Sequence, residues 1–282
     1  MKSGWLACAL VVFFWLTTPA AWADLSIFPT RIVLEKNQRS AQVELMNNGT
    51  EPVSYRINLV NRRMGENGEL MEIDQAIDGE LFAEPLLRFS PRQVQIQPGS
   101  SQIVRILVRK PSDLLVGEYR SHLQFDRLPQ AGGASSIESS QKTDGQEIGV
   151  VITALVGASI PVILRHGDTA VSVSLSNLKM ASNGTGDATP PAPELMFTMN
   201  RSGTRSVYGD LVVTFMARNG ATVELAKMGG VAVYVPNAFR RVRLPLALPK
   251  GVDTTGGTLK LVYRERADAG LRVLAEAVLA IP

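Results

Sequence analysis

The stretch Ile148-Gly-Val-Val-Ile-Thr-Ala-Leu-Val156 decides how this chain is interpreted. Alternate residues in it are mostly large and apolar, so in an extended strand they share one face. The preceding segment 129–147 is rich in Gly, Ser and Ala and cannot build a core of its own. Such a strand either belongs to its own domain's core or pairs with another chain. The residues on the shared face are Ile148, Val150, Ile152, Ala154 and Val156.

Residues 1–23 have the features of a secretory signal peptide. Lys2 gives a positive start, an apolar run follows, and Ala21-Trp22-Ala23 is a small-x-small cleavage site. We expect cleavage near Ala23 and export of the remainder. A membrane anchor is the alternative, but the run is short and a cleavage site follows it. No later stretch approaches the ~20 apolar residues that a membrane span requires.

Composition narrows the possible partners. The single cysteine, Cys8, lies in the expected signal, so the exported protein would contain no thiol in a compartment that permits disulfides. The formal net charge of +3 is spread along the chain. The densest basic spots, Arg62-Arg63 and Arg240-Arg241-Val-Arg243, are typical of solvated faces. We therefore expect neither a nucleic-acid partner nor a membrane span.

Short alternating segments separated by turns follow one another after residue 24. Seven of them, ending in a long strand at 148–164, predict an immunoglobulin-like sandwich over 24–165. The pattern restarts after His166-Gly-Asp168, which predicts a second such domain over 166–282. The predicted fold class is all-β, with two immunoglobulin-like β-sandwich domains.

Catalytic and metal-binding patterns are missing from the sequence. The two histidines, His122 and His166, fall in different predicted elements, and no metal-ligand spacing accompanies them. The sequence contains no Gly-x-Ser-x-Gly elbow, P-loop or dinucleotide-binding motif. We expect a protein that is not an enzyme and needs no metal or cofactor. His122 is interpreted as a hydrogen-bonded histidine within a sheet.

Four features together make the chain resemble the periplasmic chaperones of the chaperone/usher pathway, which assemble bacterial pili. The resemblance extends over nearly all of residues 24–282. The four features are Pro29-Thr-Arg31 in a first strand that ends near Glu35, Gly117–Phe125 in the position of the sixth strand, the long loop before an alternating seventh strand, and Tyr263–Gly270 near the end of a second β domain.

This resemblance implies a function. Members of the family have two domains in a boomerang arrangement and bind incomplete subunits by donor-strand complementation, in which the chaperone lends its seventh strand. The lent side chains would be Val150, Ile152, Ala154 and Val156, with Ile148 as an extension. The implied partners are pilus or surface-fibre subunits and an outer-membrane usher, and the implied location is the periplasm of a Gram-negative bacterium.

The resemblance also assigns three residues outside that strand. Arg31 would anchor the subunit's C-terminal carboxylate, because a guanidinium can bind both oxygens with its forked donors. Its usual lysine partner is absent, since Pro161 occupies that position. Arg165 and Asp268 would meet between the domains, but Arg120 stands at another position that is acidic in the family. These departures from the family pattern indicate a divergent branch of the family.

Two alternatives stay open. One is a secreted two-domain β-sandwich adhesin or carbohydrate-binding protein. It is less favoured because all three tryptophans, Trp5, Trp15 and Trp22, lie in the expected signal, which leaves no tryptophan for a sugar platform. The other is a hydrolase on a sandwich scaffold, for which the sequence offers no nucleophile motif.

Overall fold

A computed structural model describes residues 25–129, 157–182, 193–248 and 256–281. Over these ranges the chain forms seventeen strands and two single-turn 3-10 helices, Glu84–Leu86 and Ala267–Ala269. No helix within them has the length and apolar character needed to cross a bilayer. The expected signal peptide 1–23 lies outside the described residues.

The first ten strands form two sheets that enclose one core. One sheet has the order β1-β3-β8-β6, and the other has the order β2-β10-β9-β4-β5 with β7 also paired to β4. These strands are β1 Leu25–Phe28, β2 Ile32–Leu34, β3 Ser40–Asn47, β4 Val53–Met64, β5 Leu70–Ile73, β6 Leu87–Ser90, β7 Gln93–Ile96, β8 Ser101–Val108, β9 Gly117–Arg127 and β10 Ala158–His166.

Alternation in the sequence explains this core. On β3, Val43 and Leu45 are buried, while the polar residues Gln42 and Glu44 that alternate with them are exposed. Side chains of successive strand residues point to opposite faces, so one face of the sheet packs inward and the other meets solvent. Leu123 and Phe125 of β9 and Ile160, Val162 and Leu164 of β10 fill the core from the facing sheet.

The remaining seven strands form a second pair of sheets, β11-β12-β15 and β14-β13-β16-β17. Their core includes Leu195, Phe197, Val213, Phe215 and Leu261, all buried. The strands are β11 Val171–Ser182, β12 Pro193–Gly203, β13 Val207–Met216, β14 Thr222–Val233, β15 Phe239–Pro245, β16 Thr258–Arg264 and β17 Val273–Ala280.

The predicted fold class, all-β with two β-sandwich domains, is confirmed by these four sheets. The first sandwich ends with β10 at His166, and the second begins with β11 at Val171. The domain limits 24–165 and 166–282 and the boomerang arrangement stay predictions. Of the predicted strand 148–164, the structure describes the part from Gly157 onwards, and β10 continues to His166.

A small apolar cluster joins the two sandwiches. Met64 and Ile163 of the first sandwich are buried against Ala232 and Tyr234 of the second, with Val33 and Tyr208 beside them. All four central residues are at most 5% exposed, so this seam excludes water as a domain core does.

The tip of the β4–β5 hairpin also contacts the second sandwich. The Arg241 N–H donates to the Glu66 carbonyl at 2.6 Å, and the Asn237 amide donates to the Met64 carbonyl at 2.9 Å. The Arg241 guanidinium lies 2.5 Å from the Glu66 carboxylate. These contacts fix the hairpin to the segment around β15.

Substitution of two isoleucines of β8 tests which of its side chains face the core and which face solvent. Ile106 is 1% exposed and Ile103 is 44% exposed. We expect Ile106→Ala to lower the free energy of unfolding by roughly 2–5 kcal/mol, because it leaves a cavity in the core. Ile103→Ala should cost less than about 1 kcal/mol. Urea unfolding of both variants measures the difference, and equal losses would contradict the assignment.

Candidate functional site

Within the described residues, one edge of β10 is unpaired at its start. β10 pairs with β9 along all of Ala158–His166, but it pairs with β2 only at Val162–Leu164. Over the described residues, therefore, Ala158–Pro161 bonds on one side only. An open strand edge presents backbone N–H and C=O groups to which another strand can add.

Pro161 lies in this open stretch, opposite His122 of β9. Proline has no N–H to donate, so sheets accept it where its nitrogen faces an unpaired edge. We therefore expect the Pro161 nitrogen to face away from β9. The resemblance implies a lysine at this position. Pro161 is compatible with the strand here because this edge is open.

The predicted donor residues Ile148, Val150, Ile152, Ala154 and Val156 lie outside the described residues. They directly precede the open stretch in sequence, and the described part of the chain resumes at Gly157. Their role stays a prediction.

Arg31 lies where the chain passes from one sheet of the first sandwich to the other, between β1 and β2. Its Nη1 donates to the Tyr234 hydroxyl at 2.9 Å. Its Cζ lies 4.4 Å from the centroid of the Tyr208 ring and 5.3 Å from that of Tyr234. Arg31 is thus held at the seam by two tyrosines of the second sandwich.

Arg120 of β9 contacts the same seam through the Tyr234 ring. Its Cζ lies 4.2 Å from the centroid of the Tyr234 ring, and its Nη2 donates to the Arg62 carbonyl at 3.0 Å. Burial lowers the pKa of Arg120, although Tyr234, Glu118 and Glu80 favour the charged form. An arginine remains protonated at neutral pH despite such a shift, so the positive charge stays in the seam.

His122 is two residues further along β9 and is 1% exposed. Its interpretation as a hydrogen-bonded histidine is wrong, because neither ring nitrogen has a hydrogen-bond partner within the described residues. Burial and the positive charges of Arg120, Arg62 and Arg31 lower its pKa to about 3. The imidazole is therefore neutral at physiological pH.

Glu118, also on β9, links the two sandwiches. Its buried carboxylate accepts from Arg165 Nε at 3.0 Å, from the Ser206 N–H at 3.1 Å and from the Ser206 hydroxyl. Arg165 Nη1 also donates to Glu35 at 2.5 Å. Arg165 belongs to the first sandwich and Ser206 immediately precedes β13 of the second, so one carboxylate joins both.

The resemblance predicts that Arg165 meets Asp268 between the domains. Within the described part of the chain, the Arg165 guanidinium donates to Glu118 and Glu35. Asp268 is exposed in the turn Ala267–Ala269, and its ion pair, at 3.8 Å, is with Arg266. The acidic partners of Arg165 on the first sandwich are thus Glu118 and Glu35. A role for Asp268 between the domains stays a prediction.

Sequence reasoning missed Tyr208, Tyr234 and Ser206 as members of the site. The alternation Glu118-x-Arg120-x-His122 places three polar side chains on one face of β9, which is the signal that could have identified that face. The tyrosines come from β13 and from the residue after β14, and no local pattern links them to β9. In the described ranges, no three His, Cys, Asp or Glu side chains are grouped to hold a metal ion.

Replacing the buried carboxylate tests the link between the sandwiches. We expect Glu118→Ala to lower the free energy of unfolding by about 3–5 kcal/mol, since it leaves the Arg165 guanidinium with one carboxylate partner and removes both bonds to Ser206. Glu276→Ala is the matched control, because the Glu276–Lys260 pair is about half exposed and should contribute about 1 kcal/mol or less. Chemical denaturation compares the two variants, and equal losses would contradict the proposed link.

The lowered pKa of His122 predicts a pH dependence of stability. Below pH ~6.5 the unfolded chain binds a proton at this residue and the folded chain does not, so stability falls as pH falls. Between about pH 7.5 and pH 5 the loss attributable to His122 should be about 2 kcal/mol. Urea titrations at both pH values measure it. His122→Gln should reduce the loss, and His166→Gln controls for removal of an imidazole elsewhere.

No protein-family model and no curated protein sequence matches this chain. Solved structures do. The chain is similar to the chaperone YadV, with a TM-score of 0.44 and 12% identity over 92% of this chain and 100% of that one. It is similar to the CupB2 chaperone of Pseudomonas aeruginosa, with a TM-score of 0.45 and 10% identity over 91% and 100%. A chain of the CsuC–CsuE chaperone–tip subunit complex from the Csu pili of Acinetobacter baumannii gives a TM-score of 0.44 and 13% identity over 92% and 98%.

Proposed function

We propose that this chain is a periplasmic, non-enzymatic chaperone that captures incomplete pilus or surface-fibre subunits by donor-strand complementation and delivers them to an outer-membrane usher. The observation that carries the proposal is the open edge of β10 at Ala158–Pro161. This edge directly continues the alternating apolar segment that the sequence places before it. A strand lent to another chain needs both an edge free to pair and side chains that fill alternate pockets.

The apolar row supplies part of the binding free energy. Burial of Val150, Ile152 and Val156, with a small contribution from Ala154, would stabilise a complex by roughly 5–10 kcal/mol. Loss of translational and rotational freedom costs about 4–15 kcal/mol, so side-chain burial alone does not suffice. Pairing along the strand edge and a polar anchor must contribute the rest.

Arg31 is the proposed anchor, and a terminal carboxylate of the subunit is its proposed ligand. Its side chain is half-buried at the seam, and its contacts with described residues are the Tyr234 hydroxyl and the Tyr208 and Tyr234 rings. Two forked N–H donors match the two oxygens of a carboxylate. Because the segment that carries Arg31 leads into β2, the strand beside β10, the anchor would lie close to the end of the lent strand.

Co-purification tests this proposal. The full chain, tagged at its C-terminus, is exported together with each pilus-subunit protein of its source organism and recovered from the periplasm. We expect a one-to-one complex with a small β-rich subunit. Ile152→Asp should abolish the complex and leave the free protein folded, because a charge on the lent row cannot enter an apolar groove.

Thr153→Asp is the matched control, since Thr153 alternates to the opposite side of the same segment. The control should still capture the subunit. If Ile152→Asp instead unfolds the protein, residue 152 belongs to this chain's own core and the lent-strand role is wrong. Recovery of the chain alone and monomeric, with stable free subunits, would favour the adhesin alternative.

A further inference from the structure

A segment that is both acidic and apolar lies at one edge of the first sandwich. Residues 69–79 read Glu-Leu-Met-Glu-Ile-Asp-Gln-Ala-Ile-Asp-Gly, with four carboxylates and no basic side chain. All of them except Ile73 are exposed, and Met71 and Ile77 are 52% and 50% exposed. Neighbouring apolar side chains that are exposed to this degree and surrounded by charge are typical of a surface that another protein covers. Residues 69–79 are called the acidic segment below.

The acidic segment includes an open strand edge. β5 is the last strand of its sheet and, within the described residues, pairs on one side only, with Asn61–Met64 of β4. Proteins protect such edges with charged side chains or with a covering element. Because all the charges of this segment are negative, its edge repels a second acidic strand and attracts a basic surface.

A groove of the opposite charge lies on the outer face of the other sheet of the same sandwich. It encloses about 700 Å³ over β6 and β8, and it is called the basic groove below. Ile103 and Leu107 of β8, which are 44% and 55% exposed, give it an apolar surface together with Phe89 of β6. Arg88 and Arg105 also line it, and none of the described carboxylates does.

The surroundings of the two arginines leave the groove positively charged. Arg105 lies opposite the neutral Gln42 of β3. Arg88 donates to two backbone carbonyl groups of its own segment, at 2.7 and 3.2 Å, and these acceptors carry no charge. Glu44 of β3 lies opposite Ile103, outside the lining of the groove. Two guanidinium groups therefore face one carboxylate on this part of the sheet.

The acidic segment and the basic groove lie towards the same side of the sandwich. Residues 29–31 join β1 directly to β2, so these two strands mark one side, where the two sheets meet. The orders β1-β3-β8-β6 and β2-β10-β9-β4-β5 then place β6 and β5 together on the opposite side. A two-fold axis on that side can bring the acidic segment of each of two copies against the groove of the other, and such a contact closes after two chains.

We propose that this side of the first sandwich is an interface between two copies of the chain, with the acidic segment of each seated in the basic groove of the other. The apolar side chains of the segment cover the exposed apolar surface of the groove, and its carboxylates neutralise Arg88 and Arg105. Apolar burial supplies the affinity of such a contact, and the complementary charges fix its register. Each surface thus supplies what the other lacks.

The interface is separate from the strand-lending role. β10 lies beside β2, on the side of the sandwich opposite to β5 and β6, so the dimer leaves the open edge at Ala158–Pro161 accessible. The inference uses neither that edge nor the apolar row before it. It therefore does not rest on the proposed function.

Sedimentation equilibrium of the full-length exported chain tests the interface. Loading concentrations from about 1 μM to 1 mM span the affinities of small interfaces. We expect the mean mass to rise from one chain towards two, and about 0.5 M NaCl to move this rise to higher concentration because salt screens exposed charges. A mass of one chain at every concentration in low salt would overturn the proposal.

Charge reversal identifies the two surfaces. Asp74→Arg combined with Asp78→Arg should weaken self-association about a hundredfold, because like charges then face each other. Arg88→Glu combined with Arg105→Glu should do the same. All four substitutions in one chain exchange the two signs and should restore the affinity to within about tenfold of the original. A fourfold variant that stays as weak as either pair would contradict the proposed pairing.

Three further variants serve as controls. Glu224→Lys and Lys227→Glu reverse single exposed charges on β14 of the second sandwich, and neither should change the mass. Ile152→Asp should also leave self-association unchanged, although it is expected to abolish subunit capture. If Ile152→Asp instead removes the dimer while the paired reversals do not, the apolar row forms the contact and the proposed interface is wrong. Circular dichroism establishes that each variant is folded before its mass is measured.

Discussion

The buried Glu118 carboxylate is the interaction on which the relation between the two sandwiches depends. It accepts hydrogen bonds from a guanidinium of the first sandwich and from the backbone and hydroxyl of Ser206 in the second. A charge with almost no solvent exposure is tolerated only when its oxygens are fully bonded. The Glu118 side chain therefore fixes the positions of three donor groups, one on Arg165 and two on Ser206, which belong to different sandwiches. The seam with Tyr208 and Tyr234 lies beside it.

Two other contacts act with Glu118. The apolar cluster around Ile163 and Tyr234 removes area from water, and the hairpin tip around Glu66 bonds to the segment near β15. The three contacts differ in their response to conditions, because ion pairs weaken with salt while apolar burial does not. Together they hold the two tyrosines against Arg31 and Arg120, so the arrangement of the site is a property of the interface and not of either sandwich alone.

The sequence was sufficient for the fold class because burial on strands follows a period of two. On β3 the apolar Val43 and Leu45 are buried and the polar Gln42 and Glu44 are exposed, and this local pattern needs no knowledge of the partner strand. The pairing of Arg165 with Glu118 depends instead on the register of β9 and β10, in which the two residues lie directly opposite each other.

The seam was not predictable in the same way. Tyr208 and Tyr234 meet Arg31 from positions far along the chain, and only the docking of one sandwich on the other brings them together. His122 shows the same limit, because a polar residue on an alternating strand is normally solvated or bonded, and the seam instead buries it beside three arginines.

Pro161 has a consequence for register. From Val162 to Leu164 the edge of β10 is covered by β2, and at Pro161 itself no N–H is available. A strand that adds to this edge must therefore end its pairing at one defined residue. A shift of the register by one residue would turn every side chain of the added strand to the opposite face. Because pairing ends at Pro161, the backbone of β10 determines which side chains of the added strand lie on each face.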